Sequence, residues 1–269
     1  MKLGSDRGCV VDTSNHAPIP SDNRVCYASG AAFRPERVRP HGILWEGLSP
    51  LDGAPIVAIA TCGTNNRKTG DMVQVWILRR DVEPHTAVRS GQDRSICGDC
   101  PMRSKEGFTG RGCYVQVPQA PFSVYRAYKR GSYRPVYPEA FKGRYVRWGA
   151  YGDPAMLPHW LVQACNASAT GWTGYTHQWR YEWSEWARGT FMASVETPKG
   201  EEAARRAGWG TFRAGRVDGS DIGRAVLCPS EGGAQCADCR MCDGRDVAVF
   251  IPAHGPGAAV VPAERLSRR

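Results

Sequence analysis

Four cysteines near the C-terminal end, Cys228, Cys236, Cys239 and Cys242, constrain this chain more than any other feature. Three of them fall at i, i+3 and i+6, a spacing too tight for mutual disulfides but suited to converging on one metal centre. Cys228 precedes a proline and supplies a fourth thiolate, and the Gly-Gly-Ala between lets the backbone curl round the centre. A four-thiolate set selects zinc or an iron–sulfur cluster. The shared middle cysteine in C-x2-C-x2-C favours iron–sulfur over the paired knuckles of a zinc ribbon.

A second set lies upstream. Cys97 and Cys100, in Cys97-Gly-Asp-Cys100-Pro, are followed beyond a glycine-rich loop by Cys113. Three thiolates on a metal leave one coordination position open, the arrangement used where a metal does chemistry. Cys62 or Cys165 is the alternative, closing the site as a fourth ligand. With eleven cysteines in clustered spacings, the chain reads as an intracellular metal binder rather than a secreted disulfide framework. Cys9 and Cys26, in the polar segment 1–35, read as free thiols.

At 269 residues the chain can bury a full core without metal staples. Its nine tryptophans and ten tyrosines argue for a packed interior, and 31 glycines with 19 prolines argue for many loops. No apolar run reaches transmembrane length and no signal-peptide core opens the chain, so a cytoplasmic location is expected. The net charge of +9 suits a polyanionic partner, DNA or RNA, or a merely soluble basic surface.

The expected organisation is an irregular arm at 1–35, one α/β metal-binding domain at 36–255 and a tail at 256–269. Turn residues at 50–53 and 64–70 separate three β-rich runs, predicting an antiparallel meander over 42–79. Met72–Leu78 is apolar on both faces apart from Gln74 and reads as a covered central strand. Cysteine loops follow at 97–114 and 228–242, and between them strand–helix repeats run over 145–214. Such repetition predicts a parallel sheet, open or as a partial barrel, with its ligand beyond the C-terminal strand ends. Asp153, His177 and Glu196 all fall at such ends, which makes them the candidate catalytic residues.

Each has a plainer alternative. Asp153 suits a turn and helix cap, and His177 a core histidine beside Trp179. Glu196 closes an apolar strand, where a carboxylate usually points into a site. Arg147, inside a strand, needs a partner, for which Asp153 and Glu196 are available. His254 is within reach of a cluster or an ordinary loop residue. Trp179, Trp183 and Trp186 fall at i, i+4 and i+7, so core packing on a helix outweighs a base-stacking surface.

Taken jointly, Ser95-Ile-Cys-Gly-Asp-Cys-Pro101, Gly112-Cys-Tyr114, Arg147-Trp-Gly-Ala-Tyr-Gly-Asp-Pro154, Gly174-Tyr-Thr-His177, the Cys228–Cys242 cluster and Ile251-Pro-Ala-His-Gly255 resemble uncharacterised bacteriophage-encoded cysteine-cluster proteins. The resemblance covers most of 60–255 and implies a place in the host cytoplasm. More distantly, the chain is similar to radical S-adenosylmethionine enzymes, whose partial barrel holds a site-differentiated 4Fe-4S cluster. Here C-x2-C-x12-C replaces that family's C-x3-C-x2-C, which counts against adenosylmethionine as a cofactor. The resulting expectation is a metalloprotein with two cysteine-ligated centres, acting as a radical or redox enzyme on nucleic acid or nucleotides. The alternative is a non-catalytic, zinc-stabilised nucleic-acid-binding protein.

Overall fold

Turn chemistry sets the first three strands. In the computed structural model, which describes residues 39–63, 66–104, 111–216, 222–255 and 257–260, β1 (Gly42–Leu48), β2 (Pro55–Thr61) and β3 (Val73–Arg79) form the expected antiparallel meander. The β1–β2 turn closes through Ser49 N–H to Ala54 O, with Asp52 Oδ1 accepting from Ala54 N–H. β2 and β3 are buried almost throughout, and Ile56, Ile59, Ile77 and Leu78 are fully covered. Each such side chain contributes about 1.5–3 kcal/mol by leaving water. Gln74, the polar exception in β3, is itself buried and donates to Met72 O and Thr69 Oγ1.

Beyond β3 the chain turns helical at α1 (Pro84–Ser90), α2 (Arg94–Cys97) and α3 (Ala120–Lys129). β4 (Tyr145–Tyr151) returns parallel to β3, and α4 (His159–Ser168) leads to β5 (Gly171–Thr173), parallel to β4. The first sheet is therefore mixed, in the order β1-β2-β3-β4-β5. A second sheet is wholly parallel and ordered β6-β7-β8-β10-β9. It comprises β6 (Tyr175–Thr176), β7 (Met192–Val195), β8 (Thr211–Gly215), β9 (Val226–Leu227) and β10 (Ala248–Pro252). Between β7 and β8 runs α5 (Pro198–Arg206), capped by Thr197, whose hydroxyl accepts from Gly200 N–H.

Two local expectations change. Within the strand–helix repeats expected over 145–214, the extended stretch after α4 is split at Gly174, whose N–H goes to Cys242 O and whose carbonyl takes Met192 N–H. A Cβ at that position would lie 2.5 Å from the Phe191 ring, so only glycine permits this approach. The tryptophan-rich stretch forms a 3-10 turn only over Glu182–Ala187, because Ser184 Oγ donates to the carbonyls of Gln178 and Tyr181. Trp179 is buried, with its indole N–H on Ser194 O, whereas Trp183 is exposed; the two do not share one helix face.

The described residues fall within the unit Arg37–Arg269. The arm at 1–35, with Cys9 and Cys26, lies outside them, as does the tail apart from 257–260. No helix among them is long and apolar enough to cross a membrane.

Candidate metal centres and the cavity between them

The first cysteine loop is pinned from several directions. Ser95 in α2 donates to Asp52 Oδ2 at 2.6 Å and receives Arg79 Nη1 at 2.9 Å, tying the helix that carries Cys97 to the meander. Arg103 folds back on the loop, pairing with the buried Asp93 at 2.5 Å and donating to Gly91 O and Gly98 O. Cys113 is held against it by its N–H to Met102 O. Cys97, Cys100 and Cys113 thus return to one neighbourhood. Burial, then Asp93 and the other two thiols, raises the Cys97 pKa well above the usual thiol value, and burial raises that of Cys113.

The second loop is built the same way. Cys236 opens α6 (Cys236–Cys239), and its N–H donates to Lys68 O, while Lys68 Nζ pairs with Glu231 at 2.8 Å. Cys228 N–H donates to Phe250 O, and Cys242 O receives Gly174 N–H. The loop is thereby fastened to the meander turn and to both sheets. Arg240 turns the chain with φ +53, in the left-handed region. Burial raises the Cys236 and Cys242 thiols, and Cys242 also senses Cys228, Cys236 and Cys239. All four line one recess of about 20 Å³. All nine described cysteines are free thiols.

Both sets open on a single cavity of about 470 Å³, lined by Cys97, Cys100, Cys113, Cys228 and Cys236. Strand residues from both sheets form its floor, among them Arg147, Tyr151, Tyr175 and Phe212. A bulge aims two of these. Gln74 and Trp76 of β3 face Arg147 and Tyr151 of β4, so the one residue between them in β3 opposes three in β4, and Gly149 takes φ +67 within the bulge. Tyr151 Oη ends buried near Cys97 and Cys113 with no hydrogen-bond partner.

Asp153, His177 and Glu196 do stand just beyond the ends of β4, β6 and β7, and Asp153 and His177 line the cavity. His177 Nε2 lies 3.7 Å from Cys100 Sγ and 2.9 Å from Glu196 Oε1. Burial alone would lower the His177 pKa, but Cys100 and Glu196 outweigh it and raise it well above the usual value. Asp153 is engaged by its neighbours: it accepts from Ala155 N–H, His177 N–H and Gln178 Nε2 at 2.8–3.2 Å. Burial raises its pKa nonetheless. Its place here is positional, as cap and as anchor for the His177 backbone.

Other expectations are revised. Arg147 meets neither Asp153 nor Glu196, because Asp153 is turned to β6 and Glu196 to His177. It donates instead to Tyr114 Oη at 2.7 Å and, at 3.5 Å, to Gln74 Oε1. Cys62 and Cys165 are not among the cavity's lining residues. Cys62 Sγ donates to Pro40 O, and Cys165 is fully buried in α4, its thiol pushed up to about 12. His254 stacks on Tyr114 at the cavity wall.

Sequence reasoning missed Gln178. Wholly buried, it donates to Cys97 O and Asp153 Oδ2, joining the first cysteine loop to the end of β4. The nearest sequence signal was Gly98, whose φ of +57 and close approach to Gln178 explain the Cys-Gly-Asp-Cys motif.

Among the described residues, no three His, Cys, Asp or Glu side chains already stand in a geometry that would hold a metal ion. The donor chemistry nonetheless suits one: free thiols grouped in threes and fours, half-buried apart from the buried Cys242, with an orphaned phenol beside the first set. Comparison with protein-family models, with curated proteins and with solved structures finds no match for the chain.

Proposed function

We propose that this protein is a metal-dependent enzyme whose reaction takes place in the cavity between two cysteine-ligated centres. The observation that carries this reading is the convergence of Cys97, Cys100 and Cys113 with Cys228 and Cys236 on one cavity, although the two segments lie far apart in sequence. The first set opens on a large space and would take an iron–sulfur cluster with a position free for substrate. When bound, that group would supply redox or Lewis-acid chemistry. Tyr151 Oη would donate to it or to substrate, satisfying its unpaired hydroxyl. His177, kept protonated by Cys100 and Glu196, would hold a proton beside the cavity. Asp153 and Gln178 would fix the loop geometry. The basic character of the chain supports a nucleotide or nucleic-acid substrate.

A second reading is favoured by the size of the recess among Cys228, Cys236, Cys239 and Cys242. At about 20 Å³ it has room for about one water-sized sphere, which suits a single zinc ion better than a cluster. In that case the C-terminal centre is structural. If both centres were of this kind, the protein would be a zinc-stabilised nucleic-acid binder.

Anaerobic purification followed by elemental analysis and absorbance spectroscopy tests the proposal. Brown protein absorbing at about 400 nm supports iron–sulfur chemistry. Colourless protein with zinc in both sites supports the binding role, and anaerobic protein free of both metals overturns the two-centre reading.

A further inference from the structure

Arg147 is half-buried in β4, where it lines the cavity, and no acid answers it. Among the described residues its guanidinium forms no ion pair within 4.0 Å of a carboxylate, and its two hydrogen bonds go to the Tyr114 hydroxyl and the Gln74 amide oxygen. Around it lie Tyr114, Tyr175 and Cys236. A guanidinium presents five N–H donors, so most of this one's capacity is unspent. Its residual surface faces the cavity, whose floor it helps to form. Of the other basic side chains lining the same space, Arg103 is neutralised by Asp93 and Lys68 by Glu231, Arg111 is committed to the carbonyls of Cys113 and Val115, and Arg67 is exposed. Burying an unpaired charge is costly, so such a group is expected where an anionic partner arrives from outside.

We propose that the cavity binds a small molecule carrying a carboxylate or phosphate group, and that Arg147 is the residue that receives this oxyanion through its planar fork. Parallel N–H donors match a carboxylate or phosphate edge, which an ammonium does not. The volume of about 470 Å³ is that of a small-molecule site and excludes a nucleic-acid duplex. Tyr175 and Phe212, with ring centroids 4.2 Å apart, give the same cavity an apolar wall for the rest of the molecule. This inference narrows the substrate class of the proposed enzyme, but it stands on Arg147 and the cavity and does not require a metal. The competing role for Arg147 is counter-ion to the neighbouring Cys236 thiolate, and the two roles separate experimentally.

The test is calorimetric titration of the full chain, purified anaerobically, with inorganic phosphate, adenosine monophosphate and succinate, alongside metal analysis of the same samples. At least one probe is expected to bind once per chain, and the pattern across the three identifies the preferred oxyanion. Arg147→Gln is expected to weaken that binding by at least about tenfold with metal content unchanged, while Arg147→Lys retains part of it. Tyr114→Phe, which keeps the charge but removes the hydroxyl that positions the guanidinium, serves where Arg147→Gln does not fold; it is expected to weaken binding severalfold. Binding by metal-free wild-type protein would sink the two-centre reading and leave this one standing. The inference is overturned if no probe binds folded wild-type protein or if binding survives these substitutions undiminished. It is equally overturned if Arg147→Gln empties the Cys228–Cys242 set while probe binding persists.

Discussion

Glu196 Oε1 stands 2.9 Å from His177 Nε2, joining the ends of two neighbouring parallel strands beside Cys100. Both side chains are largely buried, at 18% and 10% exposure, so the pair is poorly screened by solvent. The sign of its pH dependence follows from the raised histidine pKa. The folded state binds the proton more tightly than the unfolded chain, so this stabilisation is full below pH 6.5 and is lost as pH rises through the folded pKa. Glu196→Gln should lower the His177 pKa and cost more stability at pH 6 than at pH 9. Urea unfolding of both proteins at the two pH values measures this. Equal losses at both would show that the pair is not ionic.

The two thiol sets predict separable metal contents. Cys100→Ala should empty one centre and Cys239→Ala the other, each removing about half of the bound metal sites. Because burial raises the Cys97, Cys113, Cys236 and Cys242 thiols, the metal-free protein carries them protonated at neutral pH. Loading must release those protons, so metal affinity should rise with pH and a chelator should strip the protein faster at pH 6 than at pH 8.5. Loss of both centres from either single substitution would mean one shared site.

Cys165 offers a contrast within the same molecule. With its thiol pushed up to about 12, only about one molecule in ten thousand is thiolate at pH 8. Iodoacetamide should therefore leave Cys165 unmodified in the native protein and label it fully after unfolding in urea. Mass mapping of the labelled peptides reads this directly. Rapid native labelling would place Cys165 outside the core and reopen its candidacy as a ligand.

The meander, most parallel strands and the placement of Asp153, His177 and Glu196 were legible because they rest on local signals: turn residues, hydrophobic period and strand-end position. What was not legible depends on contacts made across distance. Nothing near Arg147 in sequence shows that Asp153 turns towards β6, leaving the arginine to Tyr114 and Gln74. Nor does any local pattern bring His177 to Cys100, or Gln178 to Cys97. The bulge that re-aims Tyr151 arises from the mismatch of β3 and β4 and is invisible in either strand alone. The tryptophan spacing was right about core packing for Trp179 and Trp186 but wrong about the helix and Trp183, because side-chain hydrogen bonds from Ser184 set the backbone there.

Away from the site, Arg213 in β8 and Glu201 in α5 form a nearly buried pair at 2.7 Å, with the guanidinium over the Phe250 ring. Removing one partner strands the other charge out of water. Glu201→Ala should therefore cost about 3–5 kcal/mol, far more than Glu202→Ala, whose carboxylate is exposed. Chemical denaturation of the two variants compares them. A loss under about 1 kcal/mol for Glu201→Ala would show that Arg213 finds solvent or another acceptor.

Gly98 is where the fold and the first cysteine set depend on one residue. It sits between Cys97 and Cys100 at φ +57, ψ −137, a backbone region that side chains avoid. A Cβ there would fall 2.3 Å from Gln178 Oε1. Gln178 has no open space to retreat into, because it is wholly buried and holds both Cys97 O and Asp153 Oδ2. Gly98→Ala should cost about 1–3 kcal/mol in backbone strain and displace Gln178. With Gln178 displaced, Cys97 loses its anchor, so metal at the first set should fall while metal at Cys228, Cys236, Cys239 and Cys242 persists. Gln178→Ala separates the two contributions: it opens room for the new Cβ, so the double variant should recover part of the steric loss but none of the lost anchoring. Metal analysis and unfolding of the three variants decide it, and an unaltered first centre in Gly98→Ala would show that the loop geometry does not govern its ligands.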